Sequence, residues 1–217
     1  MDFHFSPPLL TLLDEDIKSV LLQNGSRRHF TDARLVHSRG SAQAGLSLIL
    51  SGAVRFGLYT EAGDYIETSI LREGHCFGEA TLFAGRPRAY DAEAIGDTVI
   101  LEISKNRFEW LVVQYPTFAA NLLQSLTARL YDALEFANDL RTLTAEARVA
   151  RQLWRYLVAG QFDGDVIPIR QSDLAAVLGL SRVSVGKALD ALQKSGVLSL
   201  GYRQIKILDR EALAVAI

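Results

Sequence analysis

Apolar residues near the start of the chain recur at helical spacing and then give way to alternation. Leu9, Leu12, Leu13, Ile17, Val20 and Leu21 predict one short amphipathic helix over Leu9–Asn24. From about Phe30 to Ile103 the chain turns to short runs rich in Val, Ile, Leu, Tyr and Thr between glycine-containing turns. Leu46–Leu50, Ala53–Tyr59, Tyr65–Leu71, Ala92–Ala94 and Val99–Ile103 read as strands. The intervening turns include Ser51-Gly52, Glu61-Ala62-Gly63-Asp64 and Arg72-Glu73-Gly74. Regularly spaced short strands with turn signals predict a sandwich or β-roll. The lack of long helical segments between them argues against a parallel α/β sheet.

From Pro116 the period is helical again. Leu123, Leu126, Leu130, Ala133, Ala137 and Leu140 are spaced 3, 4, 3, 4, 3. That is an a/d seam, the pattern that lets two helices pack along each other. Proline and glycine are absent between Thr117 and Gly160, and Thr144 offers a cap for a new helix. The seam packs either on the chain's own β domain or on the same helix of a second copy.

Near the C-terminus Gln171–Leu178 reads as a short helix with Leu174, Ala175 and Leu178 on one face. Gly179 stops it, since glycine takes the left-handed conformation of a tight turn. Ser181 is a natural N-cap for a second helix running through Lys194, with Val185, Leu189 and Leu192 buried and Gly196 at its end. Val197–Leu200 and Ile205–Leu208 then flank a hairpin tip, Gly201-Tyr202-Arg203. Helix, turn, helix, hairpin is the order of a winged helix-turn-helix.

A recognition helix points its N-terminal residues at the bases of the major groove. Here these are Ser181, Arg182, Val183, Ser184 and Lys187. Arg182 suits the O6 and N7 acceptors of guanine, and Lys187 suits guanine or phosphate. Ser172, Ser181 and Ser184 suit phosphate oxygens, and Arg203 on the wing suits the DNA backbone. The plain alternative is a helix pair that only packs, with Arg182 and Lys187 as solvated charges. A reader of this size works as a symmetric pair on two half-sites, which favours the seam as a dimer interface.

Composition narrows the classes further. Of 217 residues 49% are hydrophobic and 22% charged, the balance of a soluble globular protein. The chain carries no apolar run of transmembrane length and no signal-peptide pattern at its start, so the cytoplasm is the expected compartment and no membrane partner is expected. Its one cysteine, Cys76, excludes an intramolecular disulfide. The net charge of −2 divides unevenly: −5 over residues 1–144 and +3 over 145–217. A basic module beside an acidic one suits a DNA-binding part joined to a sensor. The phosphate-binding Walker loop, His-Glu-x-x-His and Gly-x-Ser-x-Gly are all absent, so no catalytic residues are assigned and an enzyme is not expected.

The motifs resemble those of the Crp–Fnr superfamily, regulators built like the cyclic-AMP receptor protein. The similarity runs from about Phe30 to Leu208. Gln171-Ser172-Asp173-Leu174-Ala175 and Leu180–Leu189 resemble the family's helix-turn-helix signature. Arg182 matches its base-reading arginine, whereas Val183 stands where many relatives carry a glutamate. Valine accepts no hydrogen bond but can touch a thymine methyl, so the operator should differ from the receptor protein's own. The resemblance implies an α+β fold: a cyclic-nucleotide-binding-like β-roll over 1–115, a dimerisation helix over 116–143 and a winged helix-turn-helix over 144–217. It implies palindromic double-stranded DNA and a second copy of the chain as partners, and extends the partners to RNA polymerase.

Phe77–Arg88 resembles the family's phosphate-binding cassette, with Gly78, Glu79 and Arg88 on the positions that hold a cyclic nucleotide. A cyclic nucleotide or another small effector is therefore implied. Equally, Glu79 and Arg88 pair with each other to brace the turn. Ala89 and Tyr90 replace a hydroxyl residue and alanine, and Ala133 and Leu134 replace hydroxyls offered to adenine, which sets cyclic AMP below other effectors or none. His75 and Cys76 adjoin, but neighbours on a strand point to opposite faces, so haem is disfavoured. Neither they nor His4, His29 and His37 show metal-ligand spacing, and no metal is assigned. The rival reading for the whole chain is a cyclic-nucleotide sensor acting mainly through protein contacts.

Overall fold

The chain divides into two compact units, Asp2–Leu130 and Tyr131–Ile217, each with its own buried apolar residues. The computed structural model describes residues 6–61, 63, 65–158 and 164–217; His4, Ala62, Asp64 and Gly160 lie outside them.

The first unit opens with two helices where the leucine spacing predicts one. α1 (Leu9–Leu12) ends at Leu13, whose ψ of 140° leaves the helical region, and α2 (Glu15–Asn24) starts after Asp14. Asp14-Glu15-Asp16 supplies the negative charge that a helix N-terminus favours, a start signal inside the predicted span. The spacing survives the break because Leu9, Leu13, Ile17 and Leu21 all bury in one core.

The sheet comprises β1 (Ser26–Phe30), β2 (Leu35–His37), β3 (Gly45–Tyr59), β4 (Tyr65–Arg72), β5 (Cys76–Phe77) and β6 (Asp91–Ser104), with α3 (Glu79–Phe83) after β5. Its order is β1-β6-β3-β4, with β2 also on β6 and β5 on β3, all antiparallel. Two pairs of predicted strands are in fact single strands. β3 runs through Ser51-Gly52 and β6 through Gly96, so these glycines mark irregularities and not chain reversals. A bulge bends and twists a long strand pair, which lets the sheet roll. Gly52 has φ +81°, and a Cβ there would stand 2.5 Å from Thr98 Oγ1. That buried hydroxyl lies 3.3 Å from Ala53 N, whose N–H it accepts, and 3.0 Å from Ala53 O. β1 escaped the pattern because Ser26, Arg27, Arg28 and His29 are all exposed, as suits an edge strand.

Leu46, Leu48, Leu101 and Ile103 pack with Phe108 and Leu111 of α4 (Lys105–Gln114) and Phe118 and Leu122 of α5 (Pro116–Thr142). Ile49, Val54, Leu71, Phe77 and Ile100 form a second cluster in the same unit. One stripe of α5 is stitched to the unit: Asn121 Nδ2 donates to Leu12 O (2.9 Å) and Ser125 Oγ to Pro7 O (3.1 Å). The predicted seam is a different stripe, where Leu123 is 62% and Leu130 59% exposed. Leu126 and Ala133 are half-buried, and Ala137 and Leu140 are exposed.

The second unit follows the predicted order with additions. It holds α6 (Ala145–Val158), β7 (Val166–Ile167), α7 (Gln171–Leu178), α8 (Arg182–Lys194), β8 (Leu198–Gly201), β9 (Gln204–Ile207) and α9 (Arg210–Val215). Thr144 Oγ1 accepts from Ala147 N–H (3.2 Å), capping α6. β7 extends the hairpin to a sheet of order β7-β9-β8, too short a strand to announce itself in two residues. Leu153, Leu174, Val185, Leu189, Ile205 and Leu213 are its fully buried centre. Asp139 near the end of α5 accepts from Arg151 (2.5 Å) and pairs with Arg155 (3.3 Å), joining α5 to α6.

Thr98→Val leaves backbone groups at the β3 irregularity unpaired in the core. We expect a loss of about 2 kcal/mol in unfolding free energy, read from urea denaturation at unchanged m-value.

Candidate effector cavity and nucleic-acid interface

In the first unit, β5 ends at Phe77 and the chain turns through Gly78 into α3. Gly78 has φ +102°, and a Cβ there would lie 2.5 Å from Arg88 Nη1 and 2.4 Å from Gly45 O. Only glycine allows this backbone with a guanidinium packed against it. Arg88 is held from the other side by backbone bonds, its N–H donating to Ser41 O (2.9 Å) and its carbonyl accepting from Gly40 N–H (2.8 Å). Its guanidinium lies 5.9 Å from the Phe77 ring centroid.

The cassette faces a cavity of about 240 Å³. Gly78, Glu79, Arg88, Ala89 and Tyr90 all line it. His37, Phe56, Leu71 and Arg129 line it too, and sequence reasoning passed over these four. The signal for Arg129 was available: one arginine between Leu126 and Leu130 in an otherwise uncharged stretch of helix. Ala133 and Leu134 fall on the part of α5 that belongs to the second unit, with Leu134 exposed.

The expected pairing of Glu79 with Arg88 does not form. Glu79 Oε1 instead pairs with Arg129 Nη2 (3.1 Å), and Arg129 Nη1 donates to Cys76 O (2.9 Å). An arginine already in the core, beside a carboxylate turned toward it, takes the partner. Among the described residues Arg88 is left with no ion pair, and its Nε is buried without a hydrogen-bond partner. Burial lowers its hold on the proton, partly offset by Glu79 and Glu102, yet a guanidinium stays charged. The other oxygen of Glu79, Oε2, is likewise buried and unpartnered. His37 Nε2 lies 3.2 Å from Ser47 Oγ. Burial, then Arg88 and Arg28, push its pKa down to about 4, so it is neutral at pH 7.

His75 and Cys76 are both buried, and Cys76 belongs to the apolar core. Burial raises its thiol to about 12, far from a reactive thiolate. No cluster of potential metal ligands occurs among the described residues, and no described helix is long and apolar enough to cross a membrane.

In the second unit α7 and α8 are joined by Gly179, left-handed at φ +58°. Ser181 caps α8, accepting from Ser184 N–H (3.0 Å), with the two hydroxyls 2.8 Å apart. Val185, Ala188, Leu189 and Leu192 turn inward. The opposite edge presents Arg182, Val183 (69% exposed) and Lys187 to solvent. Ser172 is exposed at the start of α7 and donates to Asp173 Oδ1 (3.0 Å). At the wing tip Arg203 adopts φ +55° and Tyr202 is 89% exposed. A groove of about 500 Å³ brings Ser172, Arg182 and Arg203 together with Arg170, Gln171 and Tyr202. The last three were not singled out from sequence. Arg170 precedes α7, and nothing in its local pattern marks it as facing the wing.

A rolled antiparallel sheet with an unpaired cation in its cassette, and a winged helix-turn-helix with a basic exposed edge, define a ligand-sensing DNA-binding regulator. Residues 27–115 match the cyclic nucleotide-binding domain, and 147–216 the Crp-like helix-turn-helix domain. The chain is 31% identical to the Cyclic AMP receptor protein of Thermus thermophilus, over 95% of this chain and 94% of that one. A solved CRP/FNR-family transcriptional regulator, also from Thermus thermophilus, superposes with a TM-score of 0.70 at 25% identity, covering 88% of this chain and 97% of that chain. A CooA mutant from Carboxydothermus hydrogenoformans shares the fold, with a TM-score of 0.79 at 22% identity over 99% of both chains. The chain belongs to the Crp–Fnr superfamily and is a DNA-binding transcription regulator with an effector-type sensor domain.

Because the folded-state pKa of His37 lies below its ordinary 6.5, the unfolded chain binds a proton between pH 6.5 and 4 that the folded chain does not. Stability should therefore fall on acidification through that window. Urea midpoints measured from pH 7 to pH 4 should show a shallower fall for His37→Gln than for the parent.

Proposed function

We propose that this chain works as a cytoplasmic homodimer that reads a palindromic operator through α8 and the wing and answers to a small effector in the cassette cavity. The carrying observation is the basic groove in which Arg182 at the start of α8 stands with Arg170 and Arg203. Arg182 donates to guanine, Val183 touches a thymine methyl, and Lys187 contacts guanine or phosphate. Ser172, Ser181, Ser184 and Arg203 hold the backbone and set the register. Functionally the chain divides into a sensor over 1–115, a dimerisation helix over 116–143 and a DNA-binding part over 144–217. The exposed leucines of α5 support dimerisation, since an apolar seam on a helix is stable only when covered. RNA polymerase is the further partner through which a bound dimer would act.

Gly78, Glu79 and Arg88 are the effector's polar contacts. The Thermus relative's name assigns that protein cyclic AMP; here three positions speak against this nucleotide. Ala89 offers the phosphate no hydroxyl, and Ala133 and Leu134 offer none to adenine.

Selection of bound duplexes from a random pool, with and without cyclic AMP, tests the reading. A palindrome with half-site centres about 34–36 Å apart is expected in both arms. Recovery only with cyclic AMP would reinstate that nucleotide, and enrichment of no motif would favour a sensor acting through protein contacts. Arg182→Ala should weaken the selected site by about 1–3 kcal/mol, roughly 5- to 150-fold, while binding to random DNA changes little. Leu130→Glu, at an exposed position, should leave the fold intact and yield a monomer by sedimentation.

A further inference from the structure

With the cassette cavity taken as the effector site, as proposed above, its wall also specifies the class of molecule that fits. Charge comes first. Arg129 and Glu79 neutralise each other (3.1 Å). His37 is neutral at pH 7. Arg88 is then a cation on the wall with no ion pair among the described residues, touched only by the longer-range fields of Glu79 and Glu102, its Nε buried and unpartnered. An unpaired buried cation is costly, and a ligand of charge −1 removes that cost. Hydrogen bonding comes second. Glu79 Oε2 is a buried acceptor without a donor, so the ligand should also bring an O–H or N–H. The rest of the wall comes third. Phe56, Leu71, Phe77, Ala89 and Ala92 present carbon. Thr81 already bonds Gly78 O (2.6 Å), which leaves Ser69 and Tyr90 as the remaining hydroxyls on that wall. A purine base and ribose need more polar partners than this surface supplies.

We propose that the cassette cavity binds a small apolar hydroxy acid. Its carboxylate forms a two-point pair with Arg88, its hydroxyl donates to Glu79 Oε2, and its hydrocarbon body lies against Phe56, Leu71 and Phe77. A volume of about 240 Å³ holds an acid of roughly ten or eleven heavy atoms.

The test is calorimetric titration of the full-length protein, without DNA, with salicylate, 3-hydroxyoctanoate, octanoate, octanamide and cyclic AMP. Saturable binding is expected for at least one hydroxy acid. 3-Hydroxyoctanoate should bind more tightly than octanoate, and octanoate at least tenfold more tightly than octanamide, the neutral isostere. Arg88→Gln should abolish the preference for acid over amide, with circular dichroism confirming the fold. The comparison of acid with amide on the unaltered protein stands even if that variant fails to fold. Equal binding of acid and amide, tighter binding of cyclic AMP than of any acid, or no saturable binding by either hydroxy acid overturns the proposal. Because DNA is absent, such a failure leaves the operator reading intact, and an empty DNA selection leaves this titration readable.

Discussion

Arg129 reaches from α5 into the cassette and makes two bonds there, to the Cys76 carbonyl and to the Glu79 carboxylate. Its side chain is almost wholly buried, and an arginine so placed must have its charge met. Glu79 meets it, and the state of the whole cavity follows from that choice. Arg88 loses the carboxylate that would otherwise answer it and stands as a cation facing a mostly carbon-lined space. Gly78 is constrained by the same arrangement, since any side chain there would occupy the space of the guanidinium. The chemistry of the site is thus set by how one buried charge is satisfied.

The same bond ties the cassette to a helix with two kinds of surface. Phe118, Asn121, Leu122, Ser125 and Arg129 bind α5 to the sensor unit, while Leu123 and Leu130 remain exposed. A ligand that changed the partner of Glu79 would alter the anchoring of α5 without touching its apolar seam. Ligand-driven change requires unequal affinity for two arrangements. A ligand donor on Glu79 Oε2 that fits only one placement of the carboxylate, whose Oε1 holds Arg129, would be one physical source of that inequality.

In the DNA-binding unit, buried leucines and exposed basic residues divide α8 between a packing face and a solvent face. The same 3.6-residue period that sends Val185, Leu189 and Leu192 inward leaves Arg182, Val183 and Lys187 outward. The wing then adds Arg203 from a distant part of the sequence. Its left-handed backbone costs about 1–2 kcal/mol for a residue other than glycine. Such a cost is tolerated where the surrounding hairpin over-determines the turn.

The order of elements was legible along the chain, as were the recognition helix, the Thr144 and Ser181 caps, the α5 seam and the cassette residues. Each is written in local spacing: hydrophobic period, a capping hydroxyl, a glycine where φ must be positive. The errors lay where local signals have two meanings. Ser51-Gly52 looks like a turn and Gly96 falls between two expected strands, but β3 and β6 run through both as single irregular strands. The leucines from Leu9 to Leu21 look like one helix, although the chain breaks at Leu13 and still buries them together. Which carboxylate meets which arginine was beyond local reading altogether. Glu79 lies nearer in sequence to Arg88 than to Arg129, and only the packing of α5 against β5 brought the more distant partner within 3.1 Å. Sequence by itself determined the elements and the reactive groups, because periodicity and capping act within a few residues. Tertiary structure decided their pairing, because the satisfaction of a buried charge depends on neighbours that the chain brings together only when folded.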